Sequence, residues 1–310
     1  MLSWLETAAA IVMAALAAVS SAQGQGSMPA DVRAVIEDAA WESFAGQEQQ
    51  DAASAQEPDI SEVYLDMSWE FADFTVINSG AAVLYRSQAD ERKNITVGVN
   101  AGHGTDGGGA QYVYSHPDLS PKVTGGSTAY GSVQAMAVAS GMTFNDGSEE
   151  RTVTLREAQM LKELLLSEGY DVLMLRDGED VQLDNIARTV LCNNLADCHI
   201  AIHWDGDGLD YDKGCYYMAV PDALKGMYPV SEIWQEDDRL GECLIAGLAS
   251  EGLQLFESGS MQIDLVQTSF SKVPSVDVEL GNQSSSTSDG ELMRRAYGLL
   301  AGIDIYFGYR

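Results

Sequence analysis

A histidine stands between two glycines at Gly102-His103-Gly104, directly after the apolar run "ITVGVNA". A second histidine, His203, closes "HIAIH", and a carboxylate, Glu279, closes "SVDVE". All three residue types bind metal ions or move protons. Each ends a run that reads as a strand. In open α/β sheets ligands bind beyond the carboxyl ends of the strands, so these three ends could converge at one edge. Two histidines and a carboxylate with a fourth position left open form the pattern of a hydrolytic zinc site. Gly-His-Gly alone is a weak signal, more often a satisfied turn histidine than a ligand.

Each candidate has a neighbour that competes with it. Alternation along a strand puts His199 and His203 on one face, with Ala201 between them. Four residues of strand span roughly 13 Å, whereas zinc–nitrogen bonds are about 2 Å. Both histidines cannot bind one ion while the stretch stays extended. His203, at the carboxyl end, is the candidate, and His199 reads as structural. Asp277 shares a face with Glu279, while Val276 and Val278 share the other. Glu279 is nearer the strand end; Asp277 reads as a buried partner or a groove residue. His116 falls in a long polar segment and reads as an exposed loop residue unless that loop folds over the site.

The elements that must position these side chains alternate in type. After the strand at 95–101 comes a Gly/Ser/Thr-rich segment, 105–148, too long for an ordinary loop. It reads as a functional insertion, the wall of a groove or a lid. "VTLREAQMLKELLLSEG" is a helix: Leu155, Ala158, Leu161 and Leu165 recur at helical spacing, and Gly169 sits where a C-cap would be. "YDVLMLR", "DCHIAIHW", "GCYYMAV" and "SVDVELG" are strands; "LDNIARTVLCNN", "SEIWQEDDRLGECLIAGLASEG" and "DGELMRRAYGLLAGIDIYF" are helices. The expected fold is α/β, a mainly parallel twisted sheet with helices on both faces. "FTVINSGAAVLYRS" (74–87) reads as two short strands around Asn78-Ser79-Gly80 that extend the same sheet.

Composition removes some partners. The 310 residues hold 47 acidic and 17 basic side chains, a formal net charge of −30. Such a surface repels phosphate backbones, anionic membranes and anionic wall polymers, so no nucleic acid is expected as a partner. Residues 7–19 form a small-residue apolar run, short for a membrane span of roughly 20 residues. The run fits the h-region of a signal peptide, with Ser20-Ser21-Ala22 as a small-x-small cleavage site. The positive n-region is missing, the first basic residue being Arg33; the rival reading is a helix of the mature chain. Residues 23–60 read as a flexible or weakly helical linker. Cys192, Cys198, Cys215 and Cys243 match no tight metal pattern and are either paired or four small buried residues.

Taken together, residues 94–309 resemble the zinc-dependent N-acetylmuramoyl-L-alanine amidases of the amidase-3 family, which are cell-wall hydrolases. "VGVNAGHG" resembles the family's opening strand and first zinc histidine. "EERTVTL" resembles the glutamate before the first long helix, the second ligand; Glu149, Glu150 and Glu157 are candidates, and alignment on Leu155 picks Glu150. "GYDVLMLR" and "LDNIARTVLCNNLAD" match the next strand and an L…R…N…AD helix. "AIHWD" matches the strand of the third ligand, and "VDVELGN" the late strand with the catalytic glutamate.

The resemblance implies one zinc ion per chain on His103, Glu150 and His203, with Glu279 as acid/base. It implies peptidoglycan as substrate and a secreted or cell-envelope protein with no stable membrane association after signal cleavage. The implied organisation is a signal peptide at 1–22, a linker and short N-terminal extension at 23–93, and a single catalytic domain at 94–310 with a long insertion after its first strand. The chain departs from the family at Trp204-Asp205, where small or amide residues are commoner, and in that insertion. Asp205 and Asp207 would add negative charge near the metal. A zinc peptidase acting on the stem peptide, or a non-catalytic wall-binding module of the same fold, are the rival readings.

Overall fold

The structure is a computed structural model that describes residues 59–310. The expected signal peptide, and the linker as far as residue 58, lie outside the described residues. In chain order the strands are β1 (Asp59–Tyr64), β2 (Ala81–Arg86), β3 (Thr96–Ala101), β4 (Tyr112–Tyr114), β5 (Gln134–Met136), β6 (Asp171–Met174), β7 (Cys198–Asp205), β8 (Cys215–Ala219), β9 (Leu255–Gln262) and β10 (Ser275–Asn282). The helices are α1 (Glu150–Ser167), α2 (Asn185–Leu195), α3 (Val230–Ser250), α4 (Val266–Phe270) and α5 (Asp289–Phe307).

Eight strands form one sheet in the order β1-β2-β6-β3-β7-β10-β8-β9. Its centre, β6-β3-β7-β10, is parallel. The outer strands make it mixed: β1, β2 and β6 pair antiparallel, as do β10 and β8, and β8 pairs parallel with β9. The central strands read as near-continuous apolar runs because both faces are covered. On one face Val97, Val99, Ile200, Ile202, Val276 and Val278 pack against α1, α3 and α5. On the other, Leu173 packs against Ala187 and Leu191 of α2, and α4 adds Phe270 to a neighbouring cluster.

The mainly parallel sheet matches the sequence expectation; several details differ. Residues 74–77 are not a strand. A 3-10 turn at Ala72–Phe74 and one isolated bridge, Asn78 to Leu183, take that place. β9 has no sequence signature, since "LFESGSMQ" sits at the sheet edge, with Glu257, Ser258 and Gln262 exposed, Gly259 buried and the rest half-buried. Helix α1 begins three residues before Val153 and ends before Gly169. All four cysteines are free, three of them buried.

The insertion at 105–148 contributes the hairpin β4–β5. Its inner side chains, Val113 and Ala135, join Phe71, Ile186, Val190 and Phe270 in one apolar cluster. His116 corrects the expectation of an exposed loop residue, for it is fully buried. Its Nε2 lies 3.0 Å from Asp264, 148 positions along the chain, and its Nδ1 lies 2.8 Å from Ser120 Oγ. Lys122 Nζ and the Val123 N–H also donate to Asp264. Burial alone would raise the Asp264 carboxyl, but His116, Lys122 and the Val123 N–H outweigh it and hold it below its ordinary 3.8. A depressed carboxylate contributes stability above its unfolded value and loses that contribution as pH falls through the folded one. Asp264→Asn should therefore cost about 2–3 kcal/mol at pH 7 and less near pH 3. Urea titrations at both pH values check this; an equal loss at both would show that the charge is irrelevant.

Candidate metal centre

The chain turns sharply where β3 ends. Gly102, His103 and Gly104 follow, and His103 itself adopts a left-handed backbone, φ 66°. Gly102 is required by its neighbour: a Cβ there would lie 2.3 Å from Cε1 of the His203 ring. Arg188 of α2 and Arg176 after β6 secure the turn. Arg188 donates to the carbonyls of Ala101 and His103, to Asn100 Oδ1 and to Thr105 Oγ1. Arg176 donates to the carbonyls of Ala101 and Gly102. Burial pushes both guanidinium pKa values down, Arg188 to about 9 and Arg176 to about 10, so both stay charged at neutral pH.

Three donor atoms meet at this edge of the sheet. His103 Nε2 is 2.9 Å from Glu150 Oε1 and 3.1 Å from His203 Nδ1; His203 Nδ1 is 3.2 Å from Glu150 Oε1. A tetrahedral ion with bonds of ~2.0–2.1 Å sets its ligands about 3.3 Å apart, so these spacings suit a small cation. Glu150 is the first residue of α1, where the helix N-terminus favours a carboxylate. The Met142 N–H donates to its Oε2 and the Trp204 N–H to its Oε1, which fixes the carboxylate plane. Gly141 leaves room for this; a Cβ there would crowd His103 and Glu150 at 2.9 and 3.0 Å.

The positions of the protons leave the three groups able to hold a cation. His103 Nδ1 is 2.8 Å from the Ala139 carbonyl, which only accepts, so Nδ1 carries the hydrogen and Nε2 presents a lone pair. His203 Nε2 faces Asp277 Oδ2 at 3.7 Å, which favours the proton on that nitrogen and a lone pair on Nδ1. Lone pairs from His103, His203 and Glu150 then converge. Burial opposes the charged form of Glu150, yet His103 and His203 hold it well below the usual range. Burial would lower His203, and Asp277 with Glu150 raises it instead. A site that attracts a proton this way also attracts a metal ion.

Glu279 lies on β10 opposite His203, in register with it across the β7–β10 pair. It is buried, and its Oε2 has no hydrogen-bond partner; the same holds for Asp277 Oδ1. Burial, then the charges of Asp277, Glu150 and Asp205, raise the Glu279 carboxyl well above its ordinary value. Asp277 is raised by burial too, with His203 opposing. Two buried carboxylate oxygens without partners thus lie on the strand beside His203.

The competing residues fall elsewhere. Glu149 is exposed and faces Arg151. Glu157, the third candidate, is fully buried within α1 with no hydrogen-bond partner, and burial raises its carboxyl. His199 is buried at the far end of β7 beside Asn100, and burial lowers its pKa to about 3. The negative charge expected from Asp205 and Asp207 is offset by Lys213, whose ammonium contacts both. Sequence reasoning missed Lys213 and the Ala139 carbonyl; a backbone acceptor leaves no mark in residue types. Arg188 lies within "LDNIARTVLCNN", but its role rests on the backbone carbonyls of Ala101 and His103, which residue types do not mark.

The family model described as N-acetylmuramoyl-L-alanine amidase, Amidase_3, matches residues 97–303, two thirds of the chain. The chain belongs to this family. Membership supports a peptidoglycan amidase function. An N-acetylmuramyl-L-alanine amidase from Mycobacterium smegmatis superposes with a TM-score of 0.57 at 18% identity, over 70% of this chain and 98% of that one. The apo form of an amidase from Mycobacterium abscessus gives 0.55 at 22% identity, over 69% and 99%. An amidase from Clostridium difficile 630 gives 0.50 at 15%, over 70% and 98%. At such identities the likeness concerns the fold. Curated proteins give no match. Among the described residues no helix is long and apolar enough to cross a membrane.

Proposed function

We propose that this amidase cleaves the bond between the lactyl carbonyl of N-acetylmuramic acid and L-alanine of the stem peptide. One zinc ion would be held by His103, Glu150 and His203, and Glu279 would serve as acid and base. The observation that carries the reading is the convergence of one carboxylate and two imidazoles within 4.8 Å, backed by the buried, unpartnered Glu279. Imidazole nitrogens favour zinc over magnesium. When bound, the ion polarises the amide carbonyl, lowers the pKa of water towards ~7 and offsets the negative field on Glu279.

The chain's own groups do the rest. Glu279 takes the proton of the attacking water and returns it to the leaving amine of L-alanine. His103 and His203 keep their orientation through Ala139 and Asp277, the outer partners that set ligand geometry. Digestion of purified peptidoglycan followed by mass analysis tests the reading. The expected products are intact stem peptides and glycan bearing lactyl groups. Fragments cut within the peptide would favour the zinc-peptidase reading instead.

The wall substrate and the apolar run at 7–19 support export, with peptidoglycan as the partner. N-terminal sequencing of the native protein should start at or near Gln23. A cytoplasmic protein with Met1 intact would contradict this.

A further inference from the structure

The hairpin β4–β5 has one face in the core and one in solvent. Val113 and Ala135 point inward. Tyr112, 54% exposed, and Tyr114, 40% exposed, point outward, paired across the strands with Met136 and Gln134. No charged side chain occurs at 107–115 or 129–141, in a chain where 21% of residues are charged. The face is also tied to the metal cluster. β5 ends at Met136, and Ala139, three residues on, is the hydrogen-bond partner of His103. Three residues of chain reach at most about 11 Å, so the Tyr112–Met136 end lies near the cluster and Tyr114 leads away from it.

We propose that this face is a glycan-binding platform, on which N-acetylated sugars beyond the scissile muramic acid stack against Tyr112 and Tyr114. The proposal rests on the peptidoglycan reading. The chemistry of the occupant follows from the face. A sugar ring presents C–H groups on one side and hydroxyl or acetamido groups at its edge. A tyrosine offers an apolar ring with a polar tip, and Gln134 beside Tyr114 offers an amide. Glycan whose lactyl groups are amidated carries no charge, so it meets an uncharged face on a chain of net charge −30 without repulsion. A stem peptide carries free carboxylates and amines and would call for charged partners, which this face lacks. The sugar that bears the scissile amide is covalently attached to it, so the next sugars must pass close to the metal cluster.

Calorimetric titration of the full chain with the neutral N-acetylglucosamine hexamer tests the platform without hydrolysis. The wild type should bind it, Tyr112→Ala/Tyr114→Ala should weaken binding roughly tenfold, and Tyr112→Phe/Tyr114→Phe should hold it within about twofold. The ratio of kcat/KM on intact peptidoglycan to that on a short muramyl peptide should fall by a similar factor in the alanine variant. Tyr112 faces solvent, and Tyr114 keeps one edge of its ring against Phe74, at 6.1 Å between centroids, so denaturation midpoints of both variants are measured to confirm the fold. Equal hexamer affinity in wild type and alanine variant overturns the platform, as does an active amidase that does not bind the hexamer. Hexamer binding lost in the alanine variant of a chain without amidase activity would keep the platform and remove the amidase reading.

Discussion

Glu279→Gln should leave zinc at about one ion per chain while peptidoglycan hydrolysis falls roughly 10²–10⁴-fold, the usual share of general acid–base catalysis. The amide keeps the shape of the side chain and removes its ability to accept a proton. The three groups that converge on the ion, His103, Glu150 and His203, are untouched. Glu279 sits in register with His203 on the neighbouring strand, buried, with one oxygen free of any partner. A carboxylate so placed is costly to bury, and a cation beside it offsets that cost. Removing the acid should therefore not destabilise the fold. Asp277→Asn should cost less activity, since Asp277 acts through His203 at 3.7 Å. Zinc content and stem-peptide release measured on both variants decide the matter. Wild-type turnover in Glu279→Gln would sink the assignment, and loss of zinc from it would make Glu279 a ligand.

His203→Ala should strip the metal, whereas His199→Ala should keep it near one ion per chain. The two histidines stand on one face of β7, yet only His203 reaches the cluster. Losing even an outer partner of a ligand costs 10–100-fold in metal affinity, so losing a ligand should cost more than roughly 10²-fold. His199 touches Asn100, which in turn accepts from Arg188. Its removal should lower the denaturation midpoint by leaving a cavity and an unpaired amide, at a cost of about 2–4 kcal/mol. Metal analysis of the folded variants separates the two outcomes. If both lose zinc to the same degree, the ion is not held at the carboxyl end of the strand.

Much of this was legible in the chain. The period-2 alternation of "HIAIH" and "SVDVE" sorts core-facing from polar-facing side chains, because successive strand residues point to opposite faces. The strand ends identify His103, His203 and Glu279, since a parallel sheet brings its carboxyl ends to one edge. The helix read from Val153 onward announced itself by apolar spacing, though its first turn starts at Glu150. Other features depended on contacts between distant residues. Glu149 and Glu150 are the same residue type side by side, and only the way α1 docks on β7 turns one into the cluster and the other to solvent. His116 looked like a loop residue because Asp264, which buries it, is 148 positions away. Glu157 is one more carboxylate along a helix, but it is fully buried, within the electrostatic reach of Arg295 on α5. The acid pair Asp205 and Asp207 looked like excess charge until the turn into β8 laid Lys213 across both. Residue type and period are properties of the local chain, so the sequence by itself determined the central strands β3, β6, β7 and β10 and the residues at their ends. Which carboxylate is neutralised, which histidine is enclosed and which carbonyl orients His103 depend on distances that arise only when the elements pack, and these the tertiary structure decided.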